Sequence, residues 1–269
     1  MIRTEIRKCI INRFFVGSVL LTYFFYMCSY SKGVTYVLDD TTHLFHALYV
    51  NIDISNAQWL KALLAVVPFV FVYFEEWNSG EYYNVMCRTG YKRFIVGKSV
   101  AVFVTGFLEA LISIFLFFIT LIILTKGKWE IGADRLGVYD EGTILEKIAL
   151  EGNQFPLLFN EIFTRCLSVA TTAMLGLALY TFIKSKYLAI VAPFFVTIAS
   201  GYIYYTLANI TNQPVIHLLH PNNLMSYMSS VKQNLFFCGI PFTYAVFVTK
   251  IVFYIILFMY GVGRRRNVG

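Results

Sequence analysis

Residues 99–125 read SVAVFVTGFLEALISIFLFFITLIILT, 27 positions carrying one charge, Glu109. No element of a small water-soluble core needs so long an uninterrupted apolar run, whereas a bilayer-crossing helix takes roughly 17–25 such residues. Apolar positions are continuous rather than alternating, so the run is a helix and not a strand of a membrane barrel. Five further stretches read the same way: 14–30, 57–74, 162–183, 187–208 and 235–263. The second of these is short and carries Lys61 near one end. Over all 269 residues, 58% are hydrophobic and 14% charged, against about 45–50% and about 25% in soluble domains. That excludes a soluble enzyme, a disordered chain and a fibre. The expected fold is all-α and integral to the membrane, one domain over 1–269 with six transmembrane helices. Pro68, Pro193 and Pro241 fall in or near spans, where neighbouring helices can satisfy the backbone groups they free. No internal repeat is visible, which argues against an inverted-repeat carrier. The first apolar run is 17 residues long, beyond a signal-peptide core of about 7–15, so it reads as a retained span.

Lysine and arginine set the orientation. With the N-terminus inside, the inner segments hold 13 of the 22 basic residues and the outer segments six. Lys61, Arg165 and Lys250 lie within spans. Both ends are therefore expected in the cytoplasm. The net charge of +7 collects on that face, so it calls for headgroups and not for nucleic acid. Residues 1–13 alternate apolar Ile2, Ile6, Cys9 and Ile10 with Arg3, Arg7 and Arg13, the pattern of an interfacial amphipathic helix. Residues 75–98 form the long cytoplasmic loop; of the outer segments 126–156 is polar and 211–234 of mixed polarity.

Few groupings offer chemistry. Gly97-Lys98-Ser99 ends like a phosphate loop, but the required earlier glycine is Lys92, so the segment reads as a basic anchor. Glu75-Glu76 resembles the glutamate pair of intramembrane prenyl-protein peptidases, yet Gly80 stands where those carry arginine. His43/His46 and His217/His220 are spaced to share a helix face, without a further ligand to complete a metal site. Asn209-Ile-Thr211 is a glycosylation sequon, and Cys28 and Cys238 lie near outer span ends without a disulfide being expected. Gly106-xxx-Ala110 and Thr172-xxx-Gly176 permit close helix approach. The expensive residues are intramembrane: Glu109, Arg165 and Lys250. Glu109 lies about 15 Å and Lys250 about 20 Å from the inner ends of their spans, close enough in depth to pair. Arg165 follows Glu161 by one turn, the favourable order for an ion pair. These are structural pairs or, alternatively, a polar path.

The loop FEEWNSGEYYNVMCRTGYKRFIVGK, Phe74 to Lys98, resembles the corresponding loop of type-2 ABC exporter permeases. There a span ends in an acid, glycine follows a turn later, then a short helix, a basic stretch and a lysine that opens the next span. Glu76 and Gly80 match the first part, Arg88, Lys92 and Arg93 the basic stretch, and Lys98 the closing lysine; Gly90 stands where the family often has proline. The amphipathic N-terminal helix, six spans and a proline-bearing outer segment at His220-Pro221 extend the likeness over the chain.

The resemblance implies a cell-membrane transport protein: the permease subunit of an ABC exporter in the plasma membrane, with a bacterial setting fitting best. Residues 75–98 would hold the coupling helix, with Glu75, Glu76, Gly80, Glu81, Arg88, Lys92 and Arg93 facing an ABC ATPase. ATP and magnesium would belong to that partner, with no cofactor, metal or catalytic residue in this chain. A second permease, identical or homologous, would complete the path for an amphipathic cargo such as a peptide, lipid or drug. The rival reading is a stand-alone secondary carrier or channel working through Glu109 and Lys250.

Overall fold

The computed structural model describes residues 2–37, 63–124, 154–183, 185–211, 236–237 and 240–266. In chain order the helices are α1 (Ile2–Ile10), α2 (Arg13–Val37), α3 (Val67–Asn78), α4 (Glu81–Thr89), α5 (Tyr91–Leu124), α6 (Gln154–Tyr180), α7 (Lys186–Thr211) and α8 (Phe242–Arg266). Just before α8, β1 (Phe236–Phe237) and β2 (Ile240–Pro241) pair antiparallel, Phe236 opposite Pro241. The outer segment 126–153, both histidine pairs and Cys238 lie outside the described residues.

Four helices are long and apolar enough to cross a membrane: Tyr91–Leu124, Ile162–Tyr180, Tyr187–Tyr204 and Tyr244–Arg264. They coincide with the third to sixth expected spans. A fifth follows if α1 and the Arg13–Cys28 part of α2, bent by 58° at their junction, count as one span. Asn12 makes that bend, its side-chain oxygen accepting the Phe14 N–H at 3.2 Å and capping α2. Of the expected second span only 63–74 is described; Pro68 opens α3 in its first turn, where a missing N–H does no harm.

The expected loop 75–98 is instead almost wholly helical. α3 runs on through Glu75 and Glu76, and α5 starts at Tyr91, eight residues before the expected span. The extra turns form because they have something to bury: Phe94, Ile95 and Lys98 are all under 4% exposed. With 34 residues, α5 is about 51 Å long, well beyond a hydrocarbon core of about 30 Å.

α6 is the centre of the bundle. Within the spanning windows, 72% of α6 is buried against 22% for α7 and 28% for α8, so the latter two turn broad apolar faces outward. Small residues set how closely α6 is approached. A Cβ on Gly106 of α5 would lie 2.9 Å from the Ala173 Cβ and 3.2 Å from the Ala170 Cα. A Cβ on Gly176 would lie 2.7 Å from Val66, and one on Gly261 of α8 would lie 1.9 Å from the Thr181 hydroxyl. Gly106 and Gly176 are the small positions expected from sequence; Gly261 was not anticipated. The Tyr91 hydroxyl donates to the Met259 carbonyl at 2.7 Å, so the start of α5 meets the ends of α6 and α8 at one end of the bundle.

Gly106→Val is expected to destabilise the detergent-solubilised protein by about 1–3 kcal/mol through overpacking against the α6 backbone. Gly17→Ala, with nothing within 4 Å of the new methyl, is the matched control and leaves the thermal midpoint in place.

Candidate functional site

At the end of the bundle that carries α1, three helices bring four charges together. Lys98 sits two turns into α5 and is 3% exposed. Its ammonium donates to Glu76 Oε2, from the last turn of α3, and lies 2.8 Å from Glu5 Oε2 of α1. The second contact is off-axis, since that oxygen accepts no aligned hydrogen bond; it acts as charge against charge. Lys8, one turn after Glu5 and 3.7 Å from its carboxylate, donates to the other oxygen of Glu76 at 2.6 Å. Two cations thus balance two carboxylates, and of the four only Lys8 has a substantially exposed side chain.

Aromatic faces close the site. The Lys98 ammonium is 3.7 Å from the centroid of the Tyr73 ring and 5.7 Å from that of Phe94, a cation–π arrangement that strengthens as water is excluded. The Cys9 thiol donates to the Tyr73 hydroxyl at 3.5 Å, and the Tyr180 hydroxyl donates to the Tyr73 carbonyl. Tyr73 therefore ties α1, α3 and α6 around the lysine.

The electrostatics follow from this packing. Burial pushes the Glu76 carboxyl up, but the charge of Lys98 and the hydrogen bonds from both lysines outweigh it, and its pKa falls below the ordinary 4.5. Burial pulls the Lys8 ammonium down, but the Glu76 hydrogen bond and the charges of Glu5 and Glu76 outweigh it, and its pKa rises above 10.5. Burial raises the Cys9 thiol, which stays protonated as a donor.

Beyond this knot, α4 lies between two glycines with positive φ, Gly80 at 74° and Gly90 at 82°. Both turns use left-sided backbone that other residues take only with strain; proline, locked near φ −65°, would not fit Gly90's conformation. Trp77 stacks on Tyr82 at 4.0 Å between centroids, and Met86 is buried, which fixes α4 to α3 and the core. Of the seven residues expected to face a partner, Glu75, Glu81, Arg88, Lys92 and Arg93 are exposed, and Gly80 makes the turn. Glu76 points the other way: it is 7% exposed and bound by two lysines, so it organises the knot and is not a surface contact.

The intramembrane residues separate. Thr22 of α2 donates to Glu109 Oε1 at 2.7 Å, and the Tyr26 phenol lies in the field of both Glu109 and Arg165. Glu109 is 1% and Arg165 3% exposed, so α2, α5 and α6 share a buried polar cluster. The Glu161 side chain expected beside Arg165 lies outside the described residues. Lys250 is elsewhere, lining a cavity between α6, α7 and α8. The expected Glu109–Lys250 pair is not formed, because α5 and α8 turn these residues toward different neighbours.

Glu5, Tyr73 and Cys9 were missed from sequence. A signal existed for two of them: Glu5 is the only acid in the first 38 residues, and Cys9 follows it by four, on the same helix face. Gly97-Lys98-Ser99 lies inside α5 with no loop around it. Among the described residues no three His, Cys, Asp or Glu converge as metal ligands. Comparison with protein-family models, curated proteins and solved structures finds no match to this chain.

Lys98→Met should destabilise by about 3–5 kcal/mol, the range for a buried pair stripped of one partner, and adding Glu76→Gln should restore part of the loss. Glu76 contributes stability fully above the ordinary carboxyl pKa, and that contribution disappears as pH falls through its lowered value. The raised Lys8 contributes below the ordinary lysine pKa and is lost as pH rises through its own. Thermal melts against pH should accordingly be flat from about 5 to about 10 on account of these two groups, with an acid limb that Glu76→Gln removes. Because Glu109 and Lys250 have separate surroundings, the effects of Glu109→Leu and Lys250→Leu on stability should add to within about 0.5 kcal/mol in the double variant.

Proposed function

We propose that this chain is the transmembrane permease subunit of an ABC exporter in a plasma membrane. In this reading α4 is the coupling helix, and the end of the bundle that carries it faces the cytoplasm. The observation that carries the reading is the way α4 is mounted: a short helix between two glycine turns, charged outside and anchored inside by Met86 and the Trp77–Tyr82 stack. A soluble partner would grip Glu81 and Arg88, with Glu75, Lys92 and Arg93 at the rim.

The mechanism follows from what α4 is attached to. A push on α4 moves the end of α3 and the start of α5 together, because Glu76 and Lys98 bind each other. Glu5 and Lys8 carry the same motion to α1 at the membrane surface. The partner ATPase supplies the energy by binding and hydrolysing ATP with magnesium. A second permease, the same or homologous, completes the route, and a cargo that is amphipathic suits helices whose outer faces are this apolar.

The test is purification. The tagged chain, extracted in mild detergent from its own membranes, is expected to bring down a soluble ATPase with measurable hydrolysis. Glu81→Lys with Arg88→Glu should cut that recovery severalfold while leaving the thermal midpoint of the chain unchanged. A chain that holds no ATPase, and that moves solute in liposomes under an ion gradient alone, would overturn the reading in favour of a secondary carrier.

A further inference from the structure

The cavity between α6, α7 and α8 has a volume of about 110 Å³, and its polar groups are sorted in an informative way. Lys250 is in the third turn of α8 and half-buried. Among the described residues its ammonium forms no ion pair and no hydrogen bond. Tyr204 of α7 and Tyr254 of α8 line the same space, and neither phenol has a hydrogen-bond partner among the described residues. Four of the smaller hydroxyls differ. Thr171 and Thr172 donate to the Ser168 carbonyl at 2.8 and 2.9 Å. Thr197 donates to the Pro193 carbonyl at 2.7 Å, and Ser200 to that of Thr197 at 2.9 Å. Their protons are committed to their own helices. The uncommitted donors on the cavity are one ammonium, two phenols and the Ser168 hydroxyl.

Four donors, one of them cationic, call for an oxyanion with a single negative charge. An ammonium left alone in a membrane helix is expensive and recruits a counter-ion or polar partner. Depth narrows the choice. Lys250 lies about 12 Å from the start of α8, inside a hydrocarbon core about 30 Å thick. A bilayer phosphodiester sits at the interface on two tails and does not reach there. A carboxylate on one apolar tail fits the volume and the charge, and Val196, a lining residue 40% exposed, gives the tail an apolar way out. On α8, Val248 and Val252 are exposed too.

We propose that this cavity binds the carboxylate of a single-tailed amphiphile, with Lys250 as counter-cation and the Tyr204 and Tyr254 phenols as hydrogen-bond donors. The site stands on the membrane fold alone and needs no ATPase. A fatty acid and the C-terminus of a short apolar peptide present the same headgroup, and the experiment separates them.

The full chain, purified in a non-ionic detergent, is titrated with laurate, with 1-dodecanol, and with a short apolar peptide ending in a free acid or an amide, binding being read by native mass spectrometry. One acid is expected to bind and its neutral counterpart to fail: laurate over dodecanol assigns a fatty acid, free peptide over amide assigns a peptide. Lys250→Met should weaken binding at least about tenfold and Tyr254→Phe about threefold, while Lys250→Arg keeps it. Without ligand, Lys250→Met should melt no lower than the parent, since it removes a buried charge. If that variant fails to fold, the loss on Tyr254→Phe and on Tyr204→Phe decides. Equal binding of dodecanol, parental affinity in Lys250→Met or in both tyrosine variants, or no acid bound at all would overturn the proposal.

Discussion

A lysine ammonium held at 3% exposure between two carboxylates is the constraint on which the α1 end of this bundle depends. Neither charge type survives there alone, because burying an uncompensated ion is far more costly than burying an apolar group. Lys98 therefore dictates where α1 and α3 must be, since Glu5 and Glu76 have to reach it. Lys8 then follows, as the second cation that neutralises the pair. α1 is thereby locked to the ends of α3 and α5. α4 is mounted between those same two helices.

The membrane half of the molecule obeys a different rule. Lipid tails are as apolar as leucine, so helices associate through close contact and polar groups rather than by hiding from water. That accounts for the glycines at 106, 176 and 261, each leaving no room for a methyl group. It also accounts for the position of Glu109 and Arg165, both buried at the junction of α2, α5 and α6. α7 and α8 pack more loosely, exposing Phe195, Tyr202, Val248 and Phe253, and between them and α6 lies the cavity that Lys250 lines.

Much of the architecture was legible beforehand. Four long helices fall where hydropathy puts them, because twenty consecutive apolar residues have no other stable home than a membrane-crossing helix. The site was legible only in part. The Glu-xxx-Gly and lysine pattern of 74–98 contains both Glu76 and Lys98, but pattern alone does not distinguish Glu75 from its neighbour Glu76. On a helix, adjacent residues point about 100° apart, and only the position of Lys98 says which glutamate faces in. Matching depths for Glu109 and Lys250 likewise carry no information about rotation of one helix against another.

Composition and periodicity by themselves pointed to a membrane protein, to four segments long enough to cross a membrane, and to the few ionisable residues that are out of place there. These are one-dimensional properties, set by the free energy of moving each stretch from water to lipid. The tertiary structure alone decided which charges meet. It carried α5 back through residues 91–98 by giving Phe94, Ile95 and Lys98 a core to enter, joined Lys98 to an acid 93 positions earlier in the chain, and kept Lys250 apart from Glu109. Charge partnership depends on the rotation and register of packed helices, and those are fixed by glycine contacts and aromatic stacking that no single segment contains.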